Sequence, residues 1–269
     1  MIKLKLKDFD IEVIRESGQV FRIYNEGHKY TIYNNDKILF LNKISSGSFN
    51  YEASCSKKEW DSYWSNYFDL KTNYDKYRKV CKANDKFLKE CIKFSRGLRL
   101  LNQDHFEMLI SFIISQRKSV PAIRTSIERL CRVCGKKKVI KNKTYYLFPT
   151  ASEILKNKNK LHTCGLGYRM EYIIEACNII NKNIIDLKKL EKVSNEELLD
   201  ALMSIKGVGI KVASCIALFS YKRYSICPVD VWIGRVIDKY YKGKIPKEYE
   251  KYLGIIQQYW FNYSRLNKI

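Results

Sequence analysis

Two charged residues, Lys211 and Asp230, stand nineteen positions apart at the starts of two predicted helices. A lysine amine with a depressed pKa is a good nucleophile toward an electrophilic sugar carbon, with which it forms a Schiff base. A nearby carboxylate can stabilise a developing cation and accept a proton. We therefore expect the two residues to face each other across a cleft as a catalytic pair. The alternative is that Asp230 only caps its helix, since Pro228 must lie outside the preceding one.

Two glycines lie in the short loop before Lys211. Helical periodicity covers residues 198–203 and 212–219, and Gly207-Val208-Gly209 separates the two stretches. Glycine permits a tight turn, and the N–H groups at the start of the second helix form an anion site that fits a DNA phosphate. Glycine can join any pair of helices, so this motif alone does not distinguish a phosphate site from a structural turn.

The charge balance indicates a polyanionic partner. The chain has 50 Lys and Arg against 28 Asp and Glu, a net charge of +22. Such an excess favours nucleic acid or an acidic membrane surface, although lysines spread over solvated faces would give the same total. No apolar run approaches the length of a membrane span, and the N-terminus lacks the apolar core of a signal peptide. We expect a cytoplasmic, nucleoid-associated protein that does not bind membranes.

The elements that must position these residues change type along the chain. Residues 1 to about 70 predict a meander of short antiparallel strands, because apolar and polar residues alternate between turn residues. The alternating stretches are Lys3–Lys7, Val20–Tyr24, Lys29–Tyr33 and Ile38–Leu41. From about Asn84 onward, apolar residues recur every three or four positions, which predicts helices. The fold class is therefore α+β, with an N-terminal antiparallel β domain over residues 1–75 and a mainly helical body over 76–269 that forms two lobes around a cleft.

The helix, glycine hairpin, helix and Asp from Leu202 to Asp230 resemble the signature of the helix-hairpin-helix GPD superfamily of DNA glycosylases, which includes endonuclease III. More closely, the whole chain resembles the 8-oxoguanine DNA glycosylase/lyase family. The segments that carry this resemblance occur in family order: Ser17–Arg22, Gly97–Asp104, Ser111–Ser115, Gly165–Arg169 and Gly207–Asp230. The resemblance implies a TBP-like N-terminal domain and a base-excision repair enzyme. Such an enzyme flips 8-oxoguanine out of duplex DNA, cleaves its glycosidic bond through a Lys Schiff base and nicks the abasic strand by β-elimination.

The resemblance also implies a role for each residue of the hairpin region. Lys211 matches the lysine that attacks the sugar, and Asp230 matches the family's catalytic aspartate. Gly207, Gly209 and Val212 match the backbone positions that hold a phosphate, often with a bound monovalent cation. No cofactor is implied, because no Cys follows Cys227 to form the four-Cys iron–sulfur loop of some DNA glycosylases.

Four further residues match the pocket for the flipped base. Gly18 matches the glycine whose carbonyl accepts the N7–H of the oxidised purine, although a plain turn glycine is the alternative. Phe261 and Gln257 match the residues that stack on the base and bind its pairing edge, and a core helix competes with that interpretation. Cys215 matches a thiol that packs on the other face of the base, or it is simply a buried cysteine.

The residues that would read the orphaned base depart from the family pattern. Tyr168 matches the wedge that fills the stack, and Arg169 matches an arginine that reads cytosine. Arg117 stands where the family has an Asn that contacts the orphan base, and Ala122 stands where it has a second cytosine-reading arginine. Trp232 replaces a family His two residues after the Asp. These departures predict intact chemistry with relaxed selectivity for the opposite base.

Two other functions remain open from the residues. A glycosylase for an oxidised pyrimidine or an alkylpurine would share the fold, but the first usually carries an iron–sulfur loop and the second lacks the lysine. A non-catalytic helix-hairpin-helix protein would need the basic surface and the hairpin glycines, but not Lys211 together with Asp230. In each case we expect a monomer whose partner is double-stranded DNA.

Overall fold

The computed structural model describes residues 1–45 and 49–268 of the 269-residue chain. The strands in this part of the chain are β1 (Ile2–Lys5), β2 (Ile23–Glu26), β3 (Lys29–Asn34), β4 (Lys37–Lys43), β5 (Asn50–Ala53), β6 (Lys137–Ile140) and β7 (Lys143–Tyr146). The helices there are α1 (Ile11–Glu16), α2 (Lys57–Glu59), α3 (Ser65–Tyr67), α4 (Asp75–Arg78), α5 (Lys86–Phe94), α6 (His105–Ser115), α7 (Val120–Cys134), α8 (Ala151–Lys156), α9 (Arg169–Asn181), α10 (Asn195–Met203), α11 (Ile210–Phe219), α12 (Val231–Tyr241) and α13 (Leu253–Asn267). None of these helices is long and apolar enough to cross a membrane.

The N-terminal strands form the predicted antiparallel sheet. Within the described residues it has five strands in the order β1-β5-β4-β3-β2. The register pairs Ile2 with Ala53 and Ile23 with Ile32. Strands β3 and β4 lie where the alternation predicted them, and the α+β fold class is confirmed.

Several elements were not predicted by the sequence patterns. Strand β5 completes the sheet, and the short helix α1 interrupts the predicted meander. In the helical half, β6 and β7 form a hairpin whose turn residues Lys141 and Asn142 have positive φ angles of 47° and 60°. A two-residue turn of this kind matches the twist of the paired strands, which explains why an Asn stands there.

The described chain divides into two compact units, each made of segments that are distant in sequence. The first unit comprises residues 1–32, 39–102 and 222–269, and the second comprises residues 33–38 and 103–221. The predicted domain boundary near residue 75 stays a prediction, because these units group residues by their contacts in the folded chain and not by their order in the sequence.

The core of the first unit lies under the sheet and is rich in aromatic rings. Phe9 makes edge-to-face contacts with Tyr51 and Phe68, at centroid distances of 5.4 and 5.1 Å. Trp64 is fully buried in the same cluster. Such pairs add to the stability that burial of their surface provides.

In the second unit, α11 is the central helix. Every residue from Val212 to Phe219 is buried, and a helix that is apolar on all sides must be covered on all sides. Other helices of this unit begin at side-chain caps. Asp104 accepts a hydrogen bond from the Glu107 N–H, and capping boxes open α8 at Thr150 and α10 at Ser194.

Candidate active site

Lys211 lies at the exposed first turn of the otherwise buried helix α11. It is the second residue of the helix, and Ile210 before it is also exposed. Cys215 lies four residues further along, on the same face, and is buried. Lys211 is thus presented at the surface by a helix whose remaining turns are fixed in the core of the second unit.

Gly207, in the loop between α10 and α11, is required by packing and by backbone conformation. Its φ angle is +83°, in the left-handed region, and a Cβ atom added there would lie 2.2 Å from Cδ2 of Tyr172. The aromatic ring therefore lies directly on the glycine. Any other residue at this position would be strained and would displace the ring.

Gly209, the N-cap of α11, is in contrast not required by any contact with the residues that the structure describes. Its φ angle is −89°, and nothing lies within 4 Å of an added Cβ. The N–H groups of the first turn of a helix have no intrahelical partner, and the helix dipole favours an anion there. The open surface lets a phosphate approach these donors closely.

A cavity of about 430 Å³ joins this helix start to the loop after α6. Its lining residues are Ser115, Gln116, Arg117, Gly209, Ile210, Lys211 and Val212. Arg117 is exposed, has a left-handed φ of 50°, and makes no hydrogen bond or ion pair within the described residues. Two cationic side chains, those of Arg117 and Lys211, therefore line one cavity.

The carbonyls of the loop between α10 and α11 already accept hydrogen bonds within the chain, and the monovalent cation expected there stays a prediction. The Gly207 carbonyl accepts a hydrogen bond from Gln116 Nε2 at 3.0 Å, and the Gly209 carbonyl accepts one from the Ala213 N–H at 3.0 Å. Val212 lies inside α11. The described residues contain no group of three or more His, Cys, Asp or Glu side chains arranged to hold a metal ion. We assign no chemical step to a cation.

Tyr168 and Arg169, adjacent in sequence, differ in exposure. Tyr168 is 49% exposed, as a wedge must be, whereas Arg169 is only 6% exposed. The Arg169 guanidinium donates to the Gln116 carbonyl through Nε at 2.9 Å and again through Nη2, and to the Leu166 carbonyl through Nη1 at 3.1 Å. In this conformation Arg169 holds two loops together, so its predicted reading of cytosine would depend on its remaining N–H donors.

Lys118 adds a third cation beside these loops. Its Nζ donates to Ser126 Oγ and to the Gly165 carbonyl, both at 2.6 Å. Burial lowers the pKa of Lys118, and the nearby guanidinium groups of Arg169 and Arg129 lower it further. Sequence patterns singled out neither Lys118 nor Gln116 as a loop-fixing residue, because their partners lie about 50 to 90 residues away.

In the first unit, the structure brings Gly18 and Phe261 together. Gly18 has a φ angle of +77°, and an added Cβ would lie 2.7 Å from Cε1 of Phe261. Within the described residues no group donates to the Gly18 carbonyl. The turn is anchored by the neighbouring Gln19, whose side chain donates to the Arg99 carbonyl at 2.9 Å and accepts from the Leu101 N–H at 2.8 Å.

Gln257 lies one helical turn before Phe261 on α13. It is 3% exposed, and its Oε1 accepts a hydrogen bond from Gln258 Nε2 at 3.0 Å. The neighbouring amide thus fixes the orientation of the Gln257 amide. A buried amide held in one orientation suits recognition of a base edge, because unpaired polar groups there are costly.

Asp230, also in the first unit, is the N-cap of α12 as the sequence predicted. Its Oδ1 accepts a hydrogen bond from the Ile233 N–H at 2.9 Å, and Oδ2 takes no part in that cap. The side chain is half-buried, and so is that of Trp232. The guanidinium of Arg235 lies 5.5 Å from the Trp232 ring centroid. Ala122, at the third position of α7, is partly exposed.

Comparisons with known proteins identify related domains over almost the whole chain. Residues 1–109 match the N-terminal domain of 8-oxoguanine DNA glycosylase. Residues 110–260 match the HhH-GPD superfamily of base excision DNA repair proteins. A probable N-glycosylase/DNA lyase of Methanothermobacter thermautotrophicus is 31% identical over 229 residues, which cover 74% of this chain and 72% of that protein.

Solved structures extend the similarity over almost the whole chain. MBOgg1 in complex with a low-affinity DNA ligand is 33% identical, with a TM-score of 0.89 and coverage of 98% of this chain and 94% of that one. The 8-oxoguanine glycosylase/lyase of Clostridium acetobutylicum, in complex with duplex DNA containing cytosine opposite 8-oxoG, is 30% identical with the same TM-score and coverage. The chain therefore belongs to the HhH-GPD superfamily of base excision DNA repair proteins and, within it, to the 8-oxoguanine DNA glycosylase family.

Proposed function

We propose that this protein excises 8-oxoguanine from duplex DNA and then nicks the abasic strand, with Lys211 as the nucleophile and Asp230 as the essential carboxylate. The observation that carries the proposal is the position of Lys211. It is exposed at the first turn of α11, lines a cavity, and stands two residues after Gly209, which is exposed and has open space beside its Cα. A lysine placed in this way is suited to attack a sugar held by its neighbouring phosphate.

The chemistry requires a nucleophile, a stabilised cation and a leaving base. The Lys211 amine forms a bond to C1′ while the bond from C1′ to the base breaks, and the base takes up a proton as it leaves. Asp230 stabilises the cationic character that develops on the sugar. The sugar ring opens to a Schiff base on Lys211, and loss of a C2′ proton with the 3′ phosphate nicks the strand. Hydrolysis of the imine then releases the enzyme.

Base recognition is assigned to three residues of the first unit and to Cys215 of the second. The Gly18 carbonyl accepts the N7–H that 8-oxoguanine has and guanine lacks. Phe261 stacks on the base, and the amide of Gln257 binds its pairing edge. The close approach of the Phe261 ring to Gly18 supports this assignment, because it places the two residues side by side. Cys215 is assigned to the opposite face of the base.

Contacts with the remaining DNA are assigned to the second unit. Gly207, Gly209 and Val212 hold a phosphate, and Tyr168 fills the gap in the stack. Flipping a base costs a few kcal/mol of unstacking, part of which an inserted aromatic ring offsets. Arg117, Arg169 and, from the first unit, Trp232 complete the surface. The protein acts as a monomer on chromosomal DNA in the cytoplasm.

The test is a panel of duplexes, each carrying one lesion, incubated with the protein in the presence of borohydride. The lesions are 8-oxoguanine, an oxidised pyrimidine and an alkylpurine, with undamaged guanine as the control. We expect a trapped covalent complex and a nick with 8-oxoguanine alone. Trapping only with the oxidised pyrimidine, or release of the alkylpurine without trapping, would replace the proposed substrate. Binding without excision of any base would indicate a non-catalytic protein.

A further inference from the structure

Gln116, at the end of α6, contacts two loops that are distant in sequence. Its main-chain carbonyl accepts two hydrogen bonds from the Arg169 guanidinium, one of them from Nε at 2.9 Å. Its side-chain Nε2 donates to the Gly207 carbonyl at 3.0 Å and to the Ile113 carbonyl at 3.1 Å. One residue thus bonds the start of α9 to the loop before α11.

On the side of Tyr168, the predicted wedge, the contacts continue beyond Gln116. Arg169 directly follows Tyr168, and the carbon of its guanidinium lies 4.4 Å from the centroid of the Tyr168 ring. Hydrogen bonds from a charged donor are about twice as strong as neutral ones, and the planar fork of Arg fixes their geometry. A change in the seating of the Tyr168 ring is therefore passed to Arg169 and to the Gln116 backbone.

On the other side of Gln116, the backbone of Gly207 has little conformational freedom to accommodate a displacement of Gln116. The Tyr172 ring covers one side of it, so that an added Cβ would lie 2.2 Å from the ring. The Tyr172 ring also lies edge-to-face against Tyr168, at 5.7 Å between centroids. Gly207 stands four residues before Lys211, and the helix that carries Lys211 begins three residues after Gly207. The position of the Gly207 backbone therefore sets the position of the nucleophile.

We propose that Gln116 is a positioning residue that couples insertion of Tyr168 into the DNA stack to the placement of Lys211. This inference rests on the proposed function, because it assigns Tyr168 as the wedge and Lys211 as the nucleophile. The path runs through contacts within the second unit alone. If Tyr168 does not fill the gap that the flipped base leaves in the stack, Lys211 stays out of position. Attack of Lys211 on the sugar is therefore favoured only after the base has flipped.

The variant Gln116→Met tests the link, because methionine has a similar length and no hydrogen-bond donor. We expect single-turnover excision of 8-oxoguanine to slow by about tenfold, the effect of losing one hydrogen bond on the reacting geometry. The control is Ser204→Ala, which removes a side-chain bond to a backbone carbonyl within one helix, that of Ala201. Ser204→Ala is expected to leave the rate unchanged. Wild-type excision by Gln116→Met would overturn the proposal.

A double-mutant cycle with Tyr168→Ala separates coupling from a general structural role. If Gln116 transmits the seating of Tyr168, the double variant is slowed no more than the slower single variant. If the two effects multiply, the residues act independently and the proposal is wrong. The melting temperature and the trapping of a preformed abasic site are measured for each variant, because loss of folding lowers both. Gln116→Asn replaces Gln116→Met in the cycle if the latter unfolds, since its shorter amide does not reach Gly207.

Wild-type excision is measured first in the same assay. Its absence with 8-oxoguanine refutes the proposed function, whatever the variants do. Its presence, together with multiplying effects in the cycle, refutes only the role of Gln116. The two failures are therefore distinguishable.

Discussion

In two regions of the molecule, one in each compact unit, an aromatic ring lies against a glycine with left-handed backbone. Phe261 covers Gly18 in the first unit, and Tyr172 covers Gly207 in the second. The surroundings differ. Gln257, on the same helix as Phe261, is buried and its amide accepts a bond from its neighbour, whereas Arg117 and Lys211 beside the hairpin are exposed.

The difference indicates a division of labour between rigid recognition and reactive contact. A buried, bonded amide beside a fixed glycine can discriminate between bases, because each mismatch leaves a polar group unpaired. The exposed side chains of Arg117 and Lys211 can approach phosphate and sugar, because within the described residues neither makes a hydrogen bond or an ion pair. Substitutions in the two regions should therefore reduce activity in different assays.

The largest effect is expected for Lys211→Gln in the hairpin region. Borohydride trapping and strand nicking should both disappear while DNA binding persists, since an amide cannot form a Schiff base. Gel analysis of trapped complexes measures this result. Lys206→Gln, which removes a charge from the same loop, is the control and should trap normally. Trapping of Lys211→Gln at the wild-type level would show that another amine is the nucleophile.

Asp230→Asn tests whether the cap of α12 is also a reacting group. Excision should fall roughly a hundredfold to a thousandfold, the range for loss of one electrostatic stabiliser of a transition state. Stability should change by about 1 kcal/mol or less, because Asn caps helices nearly as well as Asp. Single-turnover kinetics and thermal unfolding measure the two effects. Near-normal excision by Asp230→Asn would show that Asp230 only caps α12.

Gly18→Ala addresses the recognition region. The new Cβ would meet the Phe261 ring at 2.7 Å in a left-handed backbone, so the variant should lose excision of 8-oxoguanine much more than trapping of a preformed abasic site. Gly27→Ala is the matched control, because Gly27 also has a positive φ, of 63°, with nothing within 4 Å of its Cβ position. Both variants carry backbone strain, and only Gly18→Ala adds overpacking of about 1–3 kcal/mol. Equal losses in the two assays would contradict a role in recognition.

The two hairpin glycines separate packing from DNA contact. Gly207→Ala should lower the melting temperature, because its Cβ would overlap the Tyr172 ring. Gly209→Ala should fold with about 1 kcal/mol of lost capping and bind duplex DNA more weakly, since its Cβ points into open space where a phosphate would lie. Calorimetry and a binding titration at fixed salt distinguish the cases. Unchanged DNA affinity of Gly209→Ala would argue against a phosphate at this helix start.

The smallest difference is expected among duplexes that vary only in the base opposite 8-oxoguanine. Ala122 contributes no hydrogen bond, and Arg169 is engaged with the Gln116 and Leu166 carbonyls. Loss of one base reader removes about 1–3 kcal/mol of discrimination. Rates opposite the four bases should therefore be comparable in single-turnover excision. A cytosine preference of about a hundredfold would show that the remaining arginines suffice, and its loss in Arg117→Ala would identify Arg117 as the reader.

The sequence by itself determined the helices around Lys211 and Asp230 and the local geometry of the loop between α10 and α11. The position of Lys211 at a helix start, the cap at Asp230 and the capping boxes at Thr150 and Ser194 depend on residues within four positions of each other. Periodicity and capping are local, so they can be read along the chain. The hairpin of β6 and β7 was missed, because its lysine-rich strands lack a clear alternation of apolar and polar residues.

Only the tertiary structure decided which of the candidate side chains are available to DNA and which are already hydrogen-bonded within the protein. Arg169 matched a base reader in sequence, but its guanidinium is taken up by a backbone carbonyl 53 residues away. Gln116 matched no family role, yet it bonds the hairpin across 91 residues. The ring of Phe261 lies on Gly18 from the opposite end of the chain. Such contacts depend on shape and on competition for hydrogen bonds in the folded state, neither of which is encoded in the spacing of residue types.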